Sequence, residues 1–141
     1  MLPEALTLEV VTPDRQVVRE TVAEVQLPGR GGYLGILPGH TPLLTELATG
    51  ALTYRQGSQT QRVAVSGGFA EVLPDRVIVL ADIAERAEEI DAARARAALA
   101  NAEKQLAAAG SDWETAQQAV TRARTRLEVA GGAHGAESHS H

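Results

Sequence analysis

The sequence has no cysteine, only four aromatic residues among its 141, and no apolar run near the ~20 residues of a membrane-spanning helix. Without cysteine, disulfides, thiolate metal sites and cysteine nucleophiles are excluded. With so few aromatic side chains, the core has to be built from Val, Leu, Ile and Ala. The start of the chain, Met1–Glu4, lacks the basic segment of a signal peptide, so we predict no direct insertion into a membrane.

Positive charge is scarce overall and is almost entirely arginine. The formal net charge is −5, and Lys104 is the single lysine beside twelve arginines. An acidic chain of this kind is a poor ligand for the phosphate backbone of nucleic acids, so nucleic acid is not expected as a partner.

Histidine is also rare where it would be needed for catalysis. His40 is the one histidine before the C-terminal segment, so neither a three-histidine metal site nor a Ser-His triad can form in the folded part. His40 lies between Pro38-Gly39 and Thr41-Pro42, which favours a structural role bonded to the backbone. His134, His139 and His141 imply no fixed metal geometry. We therefore predict a protein that is not an enzyme and has no catalytic or metal site.

From Leu6 to Ala81 the apolar residues follow a period of two that is broken by frequent turn signals, which is typical of an antiparallel sandwich or barrel. Gly67-Gly68 is interpreted as a turn or bulge. The stretch Pro28–Leu44 contains five glycines and three prolines together with six large apolar residues. Because apolar groups are stabilised by burial, this pattern predicts a buried, sharply bent connection across the core.

The composition changes after Ala81. The acidic segment Asp82–Asp91 is predicted to be a solvated connection containing the domain boundary. The alanine-rich run from Ala92 to Ala109 predicts a helix with Asp91 as its N-cap. A capping box at Ser111–Glu114 opens a second helix, which Gly131-Gly132 is expected to end. The predicted fold is α+β: an antiparallel β-sandwich over residues 1–86, a two-helix hairpin over 87–131 and a disordered tail over 132–141.

Both helices carry an apolar stripe with a seven-residue repeat, so they are expected to pack as an antiparallel hairpin. The stripes are Ala92, Ala95, Leu99, Ala102, Leu106 and Ala109 in the first helix, and Trp113, Ala116, Val120, Ala123, Leu127 and Ala130 in the second. Because alanine buries little area, the hairpin is predicted to be weakly held and able to move.

Arginines cluster on the second helix. Arg122 and Arg126 lie four residues apart, away from the stripe, with Arg124 nearer its edge. Such a face can bind a phosphate or an acidic partner, although a simple solvated face is the alternative. An antiparallel hairpin would bring Arg94 towards the same end.

Three motifs in register resemble the epsilon subunit family of bacterial F-type ATP synthases. The segment Gly32–Leu44 resembles the family's Gly-x-Leu-Gly-Ile-Leu-Pro-Gly-His signature, and Ala64–Val72 resembles its second sheet motif. The segment Ile90–Ala95 resembles its nucleotide-binding motif, Ile/Leu-Asp-x-x-Arg-Ala. The match covers the chain up to about Ala130.

The resemblance implies specific roles for individual residues. Tyr33 and His40 fall in the segment that contacts the rotor, although many members have an acidic residue where this chain has Tyr33. Arg122, Arg124 and Arg126 fall on the face that contacts the catalytic subunits. The implied nucleotide-binding residues are Glu85, Ile90, Asp91, Arg94, Arg122 and Arg126.

The function implied by the resemblance is that of a non-catalytic central-stalk subunit, which couples proton-driven rotation to ATP synthesis and inhibits ATP hydrolysis. Its partners would be the gamma subunit, the membrane c-ring and the catalytic beta subunits. It would lie peripherally at the cytoplasmic face of the bacterial inner membrane. No cofactor is obligatory, but ATP is expected as a regulatory ligand that keeps the hairpin folded. The alternatives are a free-standing ATP-sensing module and, less favoured by its residues, a small barrel enzyme.

Overall fold

The computed structural model describes the backbone of residues 3–138 and the side chains as far as Gly131. Eight strands are followed by a short 3₁₀ turn and two helices. The strands are β1 Leu6–Val11, β2 Gln16–Val22, β3 Glu24–Gly29, β4 Gly32–Ile36, β5 Leu43–Glu46, β6 Gly50–Gln56, β7 Gln59–Leu73 and β8 Arg76–Arg86. The 3₁₀ turn, called the linker turn below, is Ala87–Glu89, and the helices are α1 Ala92–Ala108 and α2 Trp113–Ser138.

The strands form one hydrogen-bonded path in the order β2-β1-β8-β7-β6-β3-β4, with β5 paired to β7. The pairing is antiparallel except between β1 and β8, which run parallel. The predicted α+β fold, a β-sandwich followed by a helical hairpin, is confirmed.

In the long strands β7 and β8, the side of the strand that points into the core changes near the middle, so each strand contributes to both layers of the sandwich. In β7 the core side chains before Gly67 are Val63 and Val65, whereas those after Gly68 are Ala70 and Val72, so the alternation shifts by one residue. Gly67 and Gly68 have φ of 69° and 103°, a region that glycine enters without penalty. The glycine pair therefore redirects one continuous strand and does not end it.

The core is aliphatic, as the composition requires. Tyr54 is the one buried aromatic side chain among those described, since Tyr33, Phe69 and Trp113 are each more than half exposed. The remaining members are drawn from every strand but β5, with the largest fully buried ones being Leu6, Leu8, Leu27, Ile36, Leu52, Val10, Val18, Val22, Val25, Val63 and Val65.

The stretch Pro28–Leu44 is not the buried connection that its composition predicted. It ends β3 and forms β4 and the start of β5, two short strands with a single partner strand each. Ile36 is fully buried and Leu34 is partly buried. Tyr33, Leu37, Leu43 and Leu44 are exposed, because none of the residues that the structure describes covers that edge of the sandwich.

The segment Asp82–Asp91 is also more ordered than predicted. β8 continues to Arg86, because Ile83–Arg86 pairs with Val63–Ser66 of β7. The solvated connection between sandwich and helices is therefore reduced to the linker turn and the two residues after it.

The helices pack along most of the predicted stripe. Ala95 and Ala102 of α1 are buried, as are Ala116, Val120 and Ala123 of α2. Trp113 was expected at this seam, but its side chain is 54% exposed. It begins α2, one turn before the first buried residue of that helix, and therefore lies beyond the packed part of the seam.

The predicted end of α2 at Gly131-Gly132 is wrong, because the helix continues to Ser138. A glycine pair lowers helix propensity by about 1 kcal/mol per residue without forbidding the conformation. Of the tail predicted to be disordered, residues 132–138 continue α2, and residues 139–141 lie outside the described residues.

A second apolar cluster attaches the hairpin to the sandwich. It joins Ala51 of β6 and Ala64 of β7 to Val129 of α2, and its other members are Ile90, Ala95 and Ala130. Most of these side chains are alanine, so at ~25 cal/mol per Å² the contact stabilises the folded-down hairpin by only a few kcal/mol.

Candidate functional site

A cavity of about 560 Å³ lies between the sandwich and the hairpin. Its sandwich side is formed by β7 and β8, and its other side by the facing surfaces of α1 and α2. The polar lining residues are Thr49, Ser66, Glu85, Asn101, Gln105, Arg122, Thr125 and Arg126. This space between sandwich and hairpin is called the hairpin cavity below.

Glu85 and Arg126 form a two-bond ion pair across the hairpin cavity. Nε of Arg126 donates to one carboxylate oxygen of Glu85 at 2.8 Å, and Nη2 donates to the other at 3.3 Å. Glu85 is held in place because β8 pairs with β7, opposite Ala64. Both side chains are less than one-third exposed, so this charge-assisted pair is stronger than an ordinary surface ion pair.

Arg122 lies one turn before Arg126 on α2 and lines the same cavity. Among the residues that the structure describes, its guanidinium has no ion pair or side-chain hydrogen bond. The hydroxyl groups of Thr49 and Ser66, hydrogen-bonded to each other at 2.7 Å, lie on the sandwich side. An uncompensated guanidinium facing hydroxyl and amide groups is suited to an anionic ligand with several oxygen atoms.

Arg124 lies outside the hairpin cavity and is exposed. Its Nη2 lies 3.6 Å from a carboxylate oxygen of Glu103 on α1. Arg124 was predicted near the edge of a basic face directed away from the other helix. In this conformation the face is divided instead: Arg124 contacts α1, and Arg122 and Arg126 face the cavity.

The remaining motif residues lie at the base of the hairpin. Asp91 caps α1, and its carboxylate accepts the backbone N–H of Arg94 at 3.1 Å. Ile90 is buried in the cluster that joins hairpin and sandwich. Arg94 is exposed. Thus the structure brings Glu85, Arg122 and Arg126 together around the cavity, whereas Ile90, Asp91 and Arg94 lie outside its lining.

The two predicted rotor-contact residues lie in the exposed region around β4. Tyr33 is 53% exposed, and its hydroxyl accepts the backbone N–H of Ala51 at 3.2 Å. Nδ1 of His40 is 2.6 Å from the carbonyl oxygen of Thr41, the kind of backbone contact predicted for this histidine. Large exposed apolar side chains occur in this region and on β5, β7 and β8: Leu37, Leu43, Leu44, Phe69, Leu80 and Ile83.

One polar cluster had no clear signal in the sequence. Tyr54 of β6 donates its hydroxyl hydrogen to Glu20 of β2 at 2.7 Å, and Arg86 donates to the Tyr54 oxygen at 3.2 Å. Burial, followed by the hydrogen bond to Glu20, raises the pKa of the Tyr54 phenol above its ordinary value. Arg86 was part of an acidic stretch with no visible periodicity, so its contact with Tyr54 could not be anticipated.

Neither a metal site nor a membrane-crossing helix emerges from the described residues. Among the side chains that the structure describes, no group of three or more potential ligands is arranged to hold a metal ion. Across residues 3–138, no helix is both long and apolar enough to cross a membrane. The side chain of His134 and residues His139 and His141 lie outside what is described.

Two family models match consecutive parts of the chain. Residues 5–87 match the ATP synthase delta/epsilon chain β-sandwich domain, and residues 88–131 match the ATP synthase delta/epsilon chain long α-helix domain. The chain belongs to the ATP synthase delta/epsilon chain family. The resemblance stated from the three motifs is confirmed.

Individual members of the delta/epsilon family are similar along most of the chain. The ATP synthase epsilon chain of Solibacter usitatus is 53% identical over 92% of this chain and 98% of its own length. That of Koribacter versatilis is 49% identical over 79% of this chain and 78% of its own length. A chain in the cryo-EM structure of Euglena gracilis mitochondrial ATP synthase (OSCP/F1/c-ring) has a TM-score of 0.80 at 26% identity, covering 92% of this chain and 83% of that one.

Proposed function

We propose that this chain is the non-catalytic central-stalk subunit of an F-type ATP synthase, that it couples proton-driven rotation to ATP synthesis, and that its hairpin inhibits ATP hydrolysis. The observation that carries the proposal is the two-part architecture: a sandwich with an uncovered apolar edge, and a lightly held hairpin with arginines folded against it. The relatives are named ATP synthase epsilon chain, and the similar solved chain comes from a complex containing F1 and a c-ring.

The sandwich is the part that binds the rotor in this proposal. Leu44 and Phe69 are 71% and 52% exposed, and several other large apolar side chains on the same domain are exposed as well. Exposed apolar surface of this kind is typical of interaction sites. The gamma subunit and the c-ring are the proposed partners, which places the chain peripherally at the cytoplasmic face of the bacterial inner membrane.

The hairpin is the regulatory part. In the folded-down state Arg126 pairs with Glu85 and faces the hairpin cavity with Arg122, so neither of these two residues is directed towards an acidic segment of another subunit. When the hairpin extends, Arg122, Arg124 and Arg126 engage such a segment on the catalytic beta subunits and block hydrolysis. The weak apolar contact between hairpin and sandwich makes this exchange possible.

ATP is the proposed regulatory ligand of the folded-down state. Arg122 faces the hairpin cavity without an ion pair among the described residues, so it is the proposed first ligand of the triphosphate. Arg126, in the same lining, is the proposed second ligand. Arg94 and the Asp91 cap at the base of α1 are the proposed second part of the site. ATP shifts the population towards the folded-down hairpin only to the extent that it binds that state more tightly.

Reconstitution into a rotary ATPase lacking this subunit tests the assignment. Full-length chain is expected to bind the complex and suppress ATP hydrolysis at low ATP, with relief as ATP rises. Calorimetric titration of the isolated chain with ATP and ADP measures ligand binding separately. Failure to bind the complex would overturn the stalk assignment, and ATP binding without assembly would favour a free-standing ATP sensor instead.

A further inference from the structure

The connection between sandwich and hairpin is bonded to the sandwich through Arg86, the last residue of β8. Nη1 of Arg86 donates to the carbonyl oxygen of Val17 at 3.0 Å, and Nη2 donates to the hydroxyl of Tyr54 at 3.2 Å. Nε donates to Glu88 of the linker turn at 3.0 Å. One guanidinium therefore connects β2, β6 and the linker turn.

Glu89 makes a second connection from the same turn. Its carboxylate accepts the backbone N–H of Arg86 at 2.9 Å. It also forms a two-bond ion pair with Arg15, between β1 and β2, at 2.8 and 2.9 Å. The linker turn is thus bonded to the sandwich through Glu88 and through Glu89.

The next two residues have no such attachment. Ile90 and Asp91 are both extended, and the carboxylate of Asp91 bonds to the backbone of Arg94 inside α1. Among the described residues, Ile90 contacts its neighbours through apolar packing of its side chain and one backbone bond to Ala87 at 3.3 Å. In the same part of the chain, Ile90 and Asp91 are the first two consecutive residues after β8 that no side-chain hydrogen bond or ion pair joins to the sandwich.

We propose that the hairpin pivots at Ile90–Asp91, and that Arg86 is a positioning residue that keeps the linker turn on the sandwich in both hairpin states. The inference rests on the proposed function in one respect, namely that the hairpin leaves the sandwich. Beyond the proposed function, the inference states that the Arg86 and Glu89 contacts set the number of unattached residues between the sandwich and α1. Loss of these contacts lengthens the free segment from two residues to five, which lowers the effective concentration of the hairpin at the sandwich about fourfold by the −3/2 power law.

Distance measurements between spin labels test this effect directly. Because the chain has no cysteine, Ser58→Cys on the sandwich and Ser111→Cys between the helices provide a clean labelling pair. In a Val129→Ala background, which weakens docking so that both states are populated, Arg86→Ala combined with Glu89→Gln should lower the ratio of folded-down to extended hairpin about fourfold. Each single substitution should lower the ratio by less, because the other residue still holds the linker turn. Arg76→Ala, at the opposite end of β8, is the matched control and should leave the ratio unchanged.

A second measurement keeps Arg86 intact. Val129→Asp combined with Arg126→Ala removes both the apolar and the charged docking contacts of α2. In this variant the backbone amide shifts of Ala51 and Ala64 should change. Those of Arg86 to Glu89 also respond to the loss of α2, because Ala87 packs against the docking cluster, but they should stay dispersed and away from unfolded values.

The outcomes separate the pivot from the proposed function. Shifts of residues 86–89 that move to unfolded values when the hairpin leaves, or a ratio in the combined Arg86→Ala and Glu89→Gln variant equal to that of Arg76→Ala, would overturn the pivot while leaving stalk function intact. Unchanged Ala51 and Ala64 shifts would mean that the hairpin does not leave, which overturns both. Neither measurement uses ATP or the motor, so failure of ATP binding does not affect them.

Discussion

Arg126 of α2 and Glu85 at the end of β8 form the charged contact that joins the hairpin to the sandwich, with both carboxylate oxygens engaged at 2.8 and 3.3 Å. The two residues are 41 positions apart, so the pair forms only when the hairpin is folded down. The apolar contact beside it is small and made mostly of alanine, so by itself it does not fix one orientation of the hairpin. The ion pair does, because its hydrogen bonds need defined geometry.

Glu85→Gln should therefore shift the hairpin towards the extended state. The neutral amide keeps the shape of the side chain but loses the charge that Arg126 contacts, worth roughly 1–2 kcal/mol for a hydrogen bond to a charged group in this part-buried setting. The labelled pair at positions 58 and 111 measures the change. Glu103→Gln is the control, because the pair with Arg124 is exposed and is expected to contribute little. Equal effects of the two substitutions would contradict a special role for Glu85.

The double variant Arg122→Ala and Arg126→Ala should relieve inhibition of ATP hydrolysis in the assembled motor. Helical content should stay close to wild type by circular dichroism, because alanine propagates a helix at least as well as arginine. The structure separates the single variants: Arg126→Ala should also weaken hairpin docking, whereas Arg122→Ala should not, since Arg122 has no ion pair among the described residues. Full inhibition by the double variant at low ATP would exclude this face from the inhibitory contact.

The parts of the fold that depend on local sequence pattern were predicted correctly. The exposure of apolar side chains at a sheet edge that no other element covers was not. The period of two, the Asp91 cap and the alanine seam lead directly to strands and helices that the structure contains. The burial of Leu43 and Leu44 was predicted wrongly, because an apolar side chain at an uncovered sheet edge has the same sequence signature as one in a core. Whether such a side chain is buried or exposed depends on which parts of the fold pack against its strand, and this is not visible in the local sequence.

Some residues of the candidate site could be found from the sequence, whereas other contacts could not. Arg122 and Arg126 were found from their spacing on the second helix and Glu85 through the resemblance, and the fold brings them to one cavity. The contacts of Arg86 with Tyr54 and Val17 join three strands distant in sequence, and neither spacing nor composition could indicate them. Long-range polar contacts of this kind follow from tertiary structure alone.

Gly68→Ala should destabilise the sandwich by several kcal/mol, because the substitution combines a strained φ with overpacking. The residue has φ of 103°, and an added Cβ would overlap the Leu80 carbonyl oxygen and lie 2.9 Å from the Cα of Ala81. Gly35→Ala is the control, since an added Cβ there meets no atom within 4 Å. Denaturant unfolding of both variants measures the difference. A Gly68→Ala protein as stable as Gly35→Ala would contradict the change of face assigned to Gly67-Gly68.

Acid should loosen the linker turn. The hydrogen bond from Arg15 lowers the pKa of Glu89 below its ordinary value of 4.5. A carboxyl group whose pKa is lower in the folded state stabilises that state above its unfolded pKa, and the contribution is lost as the pH falls through the folded pKa. The difference in unfolding free energy between wild type and Glu89→Gln should therefore be constant above about pH 5 and shrink below 4.5. A difference that does not depend on pH in this range would show that the Glu89 charge plays no part.

Arg94 belongs to the nucleotide motif but lies outside the lining of the hairpin cavity. Its side chain is exposed and has no ion pair or hydrogen bond among the described residues, while its backbone N–H donates to the carboxylate of Asp91. Arg94→Ala should therefore leave the docked hairpin and the α1 cap as they are in the absence of ligand. If ATP uses this guanidinium, the variant loses one charge-assisted bond of about 1.5–3 kcal/mol, or roughly ten- to a hundredfold in ATP affinity by calorimetry. The extended hairpin does not need that bond, so inhibition in the assembled motor should persist to higher ATP concentration. Arg96→Ala, two residues further along the exposed part of α1, is the control and should bind ATP like wild type. ATP affinity equal in both variants would reduce Asp91 and Arg94 to a helix cap beside a solvated arginine, and would leave the arginines of the hairpin cavity as the whole of the phosphate site.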